Sequence, residues 1–189
     1  MHILAGAFKG RAVKRPRGVR MTSEKVKGAV FDILADAVRG AAFLDLCAGS
    51  GSVGLEALSR GAASVTWVER DPVCCRALRD NVALICGTSA ETGTTQVLGH
   101  DAPTAVRQLA GRGTAFDLIF FDPPYDDISL LKKTLQGVGA HAILRASGWL
   151  IVEHERRVDL LQLIGNIHIV RQYHYGGTVL SVCRHPSAS

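Results

Sequence analysis

Residues 43–54, Phe43-Leu44-Asp45-Leu46-Cys47-Ala48-Gly49-Ser50-Gly51-Ser52-Val53-Gly54, carry an apolar run directly into three glycines spaced as G-x-G-x-x-G. An apolar run, a glycine loop and then a segment of helical periodicity read as a strand, turn and helix at the carboxyl edge of a parallel sheet. Glycines there let the backbone pass close beneath a ligand, and both dinucleotides and S-adenosylmethionine exploit this. A tight turn with no ligand gives the same spacing, so the loop decides the fold before it decides the chemistry.

Working outward, short apolar runs recur at 43–47, 64–69, 95–98, 116–121, 149–153, 167–173 and 178–183. Segments with apolar residues three and four apart fall between them, at about 52–60, 72–86, 102–111, 129–140 and 158–164. Strands alternating with helices predict a parallel sheet with crossover helices. The last two strands are separated only by Tyr175-Gly176-Gly177, a hairpin signal, so the final strand runs antiparallel. Upstream, Thr22 or Ser23 caps a helix of about 24–37. Residues 1–21 form a basic N-terminal arm or small hairpin, and 22–189 form the main α/β domain.

With 189 residues, 47% hydrophobic and 21% charged, the chain has the usage of one globular domain. Its net charge of +5 is unevenly placed. Residues 1–27 hold eight Lys/Arg, among them Lys9, Arg11, Lys14, Arg15, Arg17 and Arg20, against Glu24 alone. Subtracting from the totals of 22 basic and 17 acidic side chains leaves fourteen and sixteen for the rest, so the basicity belongs to the arm. Such an arm fits a polyanion, nucleic acid foremost; a solubilising tail is the alternative. Five cysteines without a C-x-x-C pair argue against a disulfide or zinc framework, and the seven histidines show no metal spacing, so no metal is expected. No secretion signal or membrane-length apolar run is read, which points to a reduced cytoplasm.

Acids mark the strand ends. Asp45 ends a strand destined for burial and suits a cationic amino group, such as that of S-adenosylmethionine, better than a pyrophosphate. Glu69 ends the second strand, where a carboxylate accepts both hydroxyls of a ribose, in nicotinamide enzymes as in others. Asp101 opens the helix after the third strand and either receives an adenine amino group or caps that helix.

The fourth strand runs into Asp122-Pro123-Pro124-Tyr125. Two prolines stiffen the loop and remove two N–H donors, so carbonyls and the Asp122 carboxylate are presented as acceptors beside an aromatic ring. An exocyclic base amine is a poor nucleophile because its lone pair is delocalised. Acceptance of its two hydrogens by Asp122 and the Pro123 carbonyl, with Tyr125 stacked on the base, orients it for methyl transfer. A Pro-Pro turn that merely closes a strand is the alternative, and a hydride-transfer enzyme has no use for this loop.

With these residues the chain resembles the RsmD-like family of bacterial 16S rRNA guanine-N2 methyltransferases over nearly its full length. The likeness rests on Ile3-Leu4-Ala5-Gly6, Lys9-Gly10-Arg11, Thr22-Ser23-Glu24-Lys25-Val26, Phe31-Asp32-Ile33-Leu34, Leu44-Asp45-Leu46 through Ala48-Gly49-Ser50-Gly51, Gly54-Leu55-Glu56-Ala57-Leu58-Ser59-Arg60-Gly61-Ala62, the Asp122-Pro123-Pro124-Tyr125 loop and Tyr175-Gly176. The resemblance implies a class I, Rossmann-like methyltransferase of seven mostly parallel strands, S-adenosyl-L-methionine as cofactor, and a guanine of 16S rRNA as acceptor, in a partly or fully assembled small subunit. It implies cofactor contacts from Thr22, Asp45, Cys47, Ala48, Gly49, Ser50, Gly51, Glu69, Arg70, Asp101 and Asp122. Catalysis falls to Asp122, Pro123, Pro124 and Tyr125, and RNA binding to Lys9, Arg11, Lys14, Arg15, Arg17, Arg20 and Tyr125. The expected protein is a monomer with no membrane partner. Two departures are local: Arg20-Met21-Thr22 stands where the family has Arg-Pro-Thr, and Cys47 where Phe or Tyr is common.

Adenine-N6 methyltransferases of DNA or RNA share the Asp-Pro-Pro-Tyr loop, and a non-catalytic nucleoside- or RNA-binding module is the rival of another class. The former lacks room here for a separate target-recognition region; the latter has no need of an acid at Asp122. Glu153 is placed to face the cleft opposite Glu69, Tyr173 to Tyr175 extend an aromatic edge, and Trp67 and Trp149 read as core residues.

Overall fold

The computed structural model describes residues 1–16, 23–87, 94–162 and 166–185. The strands are β1 (Ala42–Leu46), β2 (Ser64–Val68), β3 (Thr94–Leu98), β4 (Phe116–Phe121), β5 (Leu144–Glu155), β6 (His168–Tyr175) and β7 (Thr178–Arg184). They form one sheet in the order β3-β2-β1-β4-β5-β7-β6. The β1–β2, β1–β4, β2–β3 and β4–β5 pairs are parallel, whereas β7 lies antiparallel between β5 and β6. The hairpin read from Tyr175-Gly176-Gly177 therefore inserts its second strand into the sheet. A reversal of chain order between β1 and β4 opens the crevice in which ligands of such sheets bind.

Helices α1 (Glu24–Leu34), α2 (Ser52–Ser59), α3 (Pro72–Cys86), α4 (Ala102–Gly111) and α5 (Ile128–Ala140) cover the two faces. Their starts follow from side chains that accept the first free amides: Ser23 from Val26, Asp71 from Val73 and Cys74, Asp101 from Thr104 and Asp127 from Leu130. Pro72 sits in the first turn of α3, where its missing N–H is not needed. Strand alternation sends Phe43 into the core beneath α1–α3, with Phe31 and Trp67, and Leu44 and Leu46 into the core beneath α4 and α5, with Phe121 and Leu135.

All eight residues of α2 are buried, because a second layer lies over it. Residues 1–16 form a small hairpin, with Ile3 N–H donating to the Arg11 carbonyl at 3.0 Å and Gly10 N–H to the Ile3 carbonyl at 2.9 Å. Its Ile3 and Val13 are 2% and 3% exposed, so this segment is seated on the domain rather than projecting from it. Glu56 of α2 accepts the Leu4 and Ala5 amides at 2.7 and 3.0 Å. It also faces Lys27 Nζ at 3.3 Å and Arg60 Nε at 2.8 Å. Lys27 was counted with the basic arm, but its ammonium is buried against Glu56 and is not available to a partner.

Three expected elements differ. The strand read at 149–153 begins earlier, at Leu144, after an irregularity in its pairing with β4 between Phe116 and Leu118. The helix expected at 158–164 is, among the described residues, one 3₁₀ turn at Leu160–Gln162; residues 163–165 lie outside them. Asp159 accepts the Leu161 amide there at 3.1 Å, a local turn that competes with a longer helix. The expected helix at 24–37 likewise ends as α-helix at Leu34 and continues as a 3₁₀ turn over Ala35–Val38.

Candidate active site

The carboxyl ends of β1, β2 and β4 surround a cavity of about 630 Å³. From the glycine end it is lined by Cys47, Gly49, Glu69 and Arg70, and from the proline loop by Asp122, Pro123, Pro124 and Tyr125. Residues 75 positions apart in sequence thus share one chamber. Asp71, Cys74, Asp126, Leu130, Glu155 and Arg157 complete the wall and escaped the sequence reading. The available signal was adjacency, since Asp71 directly follows Arg70 and Asp126 directly follows Tyr125.

The glycine loop is shaped by its neighbours. Gly49 and Gly51 have φ of 56° and 81°, and Cys47 holds 62°, a left-handed conformation in which a residue with a Cβ is strained. Gly54 serves packing instead: a Cβ there would come within 2.2 Å of the Trp67 indole nitrogen, so its absence lets α2 lie on β2. The Ala48 amide bonds the Val68 carbonyl at 3.0 Å, tying the loop to the end of β2.

Glu69, 9% exposed, accepts the Gly49 amide on one oxygen and the Asp71 amide on the other, each at 2.8 Å. The carboxylate therefore ties the glycine loop to the cap of α3, and each oxygen keeps a second lone pair. Arg70 reaches across the mouth to Asp127 at the start of α5, at 3.7 Å.

Asp45 does not line the cavity. It is 1% exposed and accepts the Gly54 amide at 2.9 Å. Burial pushes its carboxyl up to about 8, the Gly54 amide opposes this, and the nearby Asp122 and Glu69 charges add to it. Burial likewise pushes the Cys47 thiol up. Ala48, Ser50 and Gly51, expected to touch the cofactor, do not line the cavity. Asp101 is exposed and caps α4 through the Thr104 amide at 2.7 Å. Thr22, Arg17 and Arg20 lie outside the described residues, as does Met21.

Lys9, Arg11, Lys14 and Arg15 are exposed on the N-terminal hairpin and are not part of the chamber. The hairpin is nonetheless joined to the glycine loop. Asn81 of α3, fully buried, accepts the Lys14 amide at 3.0 Å and donates to the Lys14 and Ser50 carbonyls at 2.9 and 3.0 Å. Arg11 lies over the Phe8 ring and donates to the Ile85 carbonyl. His154, 3% exposed, bonds Ser181 at 2.8 Å within the sheet and stands apart from the chamber.

Strand order, the glycine loop and an Asp-Pro-Pro-Tyr loop facing it across one cavity define a class I methyltransferase. The family described as "Conserved hypothetical protein 95" matches residues 1–184. Bacillus subtilis YlbH, described as a candidate rRNA methyltransferase, is 35% identical over 184 residues, covering 96% of this chain and 97% of that protein. Ribosomal RNA small subunit methyltransferase D of Escherichia coli K12 is 34% identical over 155 residues, covering 81% of this chain and 71% of that protein. A solved structure of Escherichia coli yhhF, described as a candidate methyltransferase, superposes with a TM-score of 0.85 at 29% identity, covering 99% of this chain and 98% of that one. The chain belongs to this family, that of the small-subunit rRNA methyltransferase D proteins. Among the described residues no helix is long and apolar enough to cross a membrane.

Proposed function

We propose that this protein transfers the methyl group of S-adenosylmethionine to the exocyclic N2 amine of a guanine in 16S rRNA. The observation that carries the reading is the meeting of two half-sites in one chamber. Glu69 and Gly49, read as the nucleoside-binding half, and residues 122–125, read as the amine-binding half, line the same cavity. The first half suits the cofactor: a carboxylate at the end of β2 offers free lone pairs to a ribose diol, beside a glycine backbone with no side chain to exclude a ligand. When bound, the cofactor supplies a methyl group on a sulfonium, activated for displacement.

The chain's own residues do the rest. Asp122 and the Pro123 carbonyl accept the two amine hydrogens and aim the nitrogen lone pair into the chamber. Tyr125 stacks on the base. The nitrogen–carbon bond would form as the sulfur–methyl bond breaks, its electron pair staying on the thioether sulfur, and Asp122 would take the one proton the amine sheds. Orientation of this kind is worth several powers of ten in rate without a covalent enzyme intermediate. The basic hairpin holds the rRNA backbone, and its tie to Ser50 through Asn81 keeps that contact in register with the cofactor loop. The protein acts as a monomer on 16S rRNA in a partly or fully assembled small subunit.

The test is label transfer from methyl-labelled cofactor into free 16S rRNA, small-subunit particles and naked DNA, by wild type and Asp122→Ala. The reading expects label in the rRNA of either RNA substrate, none in DNA, and none from Asp122→Ala while its cofactor affinity stays near wild type. Turnover near wild type in Asp122→Ala would remove Asp122 from the amine site.

A further inference from the structure

Tyr125 is held by its hydroxyl. The phenol donates to Glu153 Oε1 at 3.1 Å and lies 2.7 Å from Thr178 Oγ1. Glu153 belongs to β5 and is 2% exposed, and Thr178 opens β7 immediately after the Gly176-Gly177 turn. A phenol has one proton to donate, and with that proton given to Glu153 the Thr178 hydroxyl donates to the phenolic oxygen. Two bonds from two strands leave the ring little freedom to swing about its χ1 and χ2.

This arrangement gives work to two features that the reaction as described leaves unused. The first is a carboxylate in the core of β5. The second is the tight hairpin between β6 and β7, which sets Thr178 in register opposite Glu155 and two residue pairs from Glu153–Leu180. A phenylalanine would supply the same stacking area without a handle. The handle matters because a base flipped out of its stack has no neighbours to align it, and the amine must meet the methyl donor in line.

We propose that Glu153 and Thr178 are positioning residues that fix the plane of the Tyr125 ring, and so the pose of the target base, through a two-bond anchor on its hydroxyl. The inference rests on the reading of Tyr125 as the base-stacking residue. Substrate affinity comes largely from phosphate contacts elsewhere, whereas ring pose governs how often the amine is aligned. Loss of the anchor should therefore lower kcat and leave KM for rRNA within about two-fold of wild type. Loss of one such hydrogen bond corresponds to on the order of ten-fold in rate.

The experiment is steady-state methylation of 16S rRNA or small-subunit particles, with cofactor affinity by calorimetry, for Thr178→Val, Thr178→Ser, Glu153→Leu, Glu153→Gln, Tyr125→Phe and Tyr125→Ala. Thr178→Val is nearly isosteric and tests the anchor even where Glu153→Leu does not fold. The proposal expects kcat to drop about ten-fold in Thr178→Val, Glu153→Leu and Tyr125→Phe. It expects restoration in Thr178→Ser and Glu153→Gln, which keep a hydroxyl and an acceptor, with cofactor affinity unchanged throughout. Wild-type kcat in Thr178→Val and Tyr125→Phe, while Tyr125→Ala is severely impaired, would overturn the anchor and leave the stacking role standing. Wild-type kcat in Tyr125→Ala would overturn both.

Discussion

Glu56 on α2 and Lys27 on α1 face each other at 3.3 Å with neither side chain exposed, and the Glu56 carboxylate also receives Arg60 and the amides of Leu4 and Ala5. One acid thus joins the N-terminal hairpin, the first helix and the helix that carries the glycine loop. Lys27 in turn donates to the His2 carbonyl at 2.6 Å.

Removing one partner of such a pair leaves an uncompensated buried charge, which costs about 3–5 kcal/mol. Glu56→Ala is expected to lose more stability than Lys27→Ala, because two backbone amides lose their acceptor along with the two cations. Urea denaturation of both variants checks the order. Equal midpoints, or a loss below about 1 kcal/mol in Glu56→Ala, would show that the hairpin is held by Ile3 and Val13 packing alone.

Glu69 is expected to be intolerant of even conservative change. Glu69→Ala removes any ribose contact, each charge-assisted hydrogen bond being worth roughly 1.5–3 kcal/mol. Glu69→Gln has one acceptor oxygen for two amides, Gly49 and Asp71, so one loop is released. Calorimetry should show weaker cofactor binding in both variants. Wild-type affinity in Glu69→Ala would take the residue out of the nucleoside site.

Asp45 gives the fold a pH dependence. Its folded pKa of about 8 lies above the ordinary carboxyl value of 3.8, so between those values the folded state binds the extra proton. The stability it contributes is present below the unfolded pKa and is lost as pH rises through about 8. Urea midpoints of wild type should fall relative to Asp45→Asn from pH 5 to pH 8. A parallel pair of curves would mean that Asp45 is ionised in the folded protein.

Much of this was legible in the sequence because it is local. The glycine loop, the acids at strand ends, the proline loop and the hairpin each announce themselves within a few residues. The long-range pairings do not. Lys27 read as one more basic residue of the arm, and Glu56 as nothing more than part of the family likeness, yet both are buried. The available clue was α2 itself, where Glu56 is the lone charged residue in Ser52–Ser59, the composition of a helix covered on all sides. Asp45 was read as facing the ligand, whereas strand alternation beneath the loop turned it to the Gly54 amide. The hydroxyl bonds of Tyr125 join residues 28 and 53 positions apart, a distance over which periodicity carries no information.

The basic hairpin should read out as salt dependence. Each phosphate engaged on single-stranded RNA contributes a log–log slope of roughly −0.7. Lys9→Ala, Lys14→Ala and Arg15→Ala combined should flatten the slope of rRNA affinity against salt by about two. Arg11 is best left in place, since its bond to the Ile85 carbonyl supports the hairpin. Cofactor affinity should not move. An unchanged slope would reduce the hairpin to a structural element and shift the RNA surface toward the Tyr125 edge.

The central claim concerns which amine enters the chamber formed by residues 122–125 and Glu69. Small-subunit particles methylated by the wild-type protein with labelled cofactor can be digested to nucleosides and the labelled product identified by chromatography and mass. The account predicts that the label elutes as N2-methylguanosine, from a single site in 16S rRNA. Label recovered as N6-methyladenosine, or spread over many nucleosides, would contradict it.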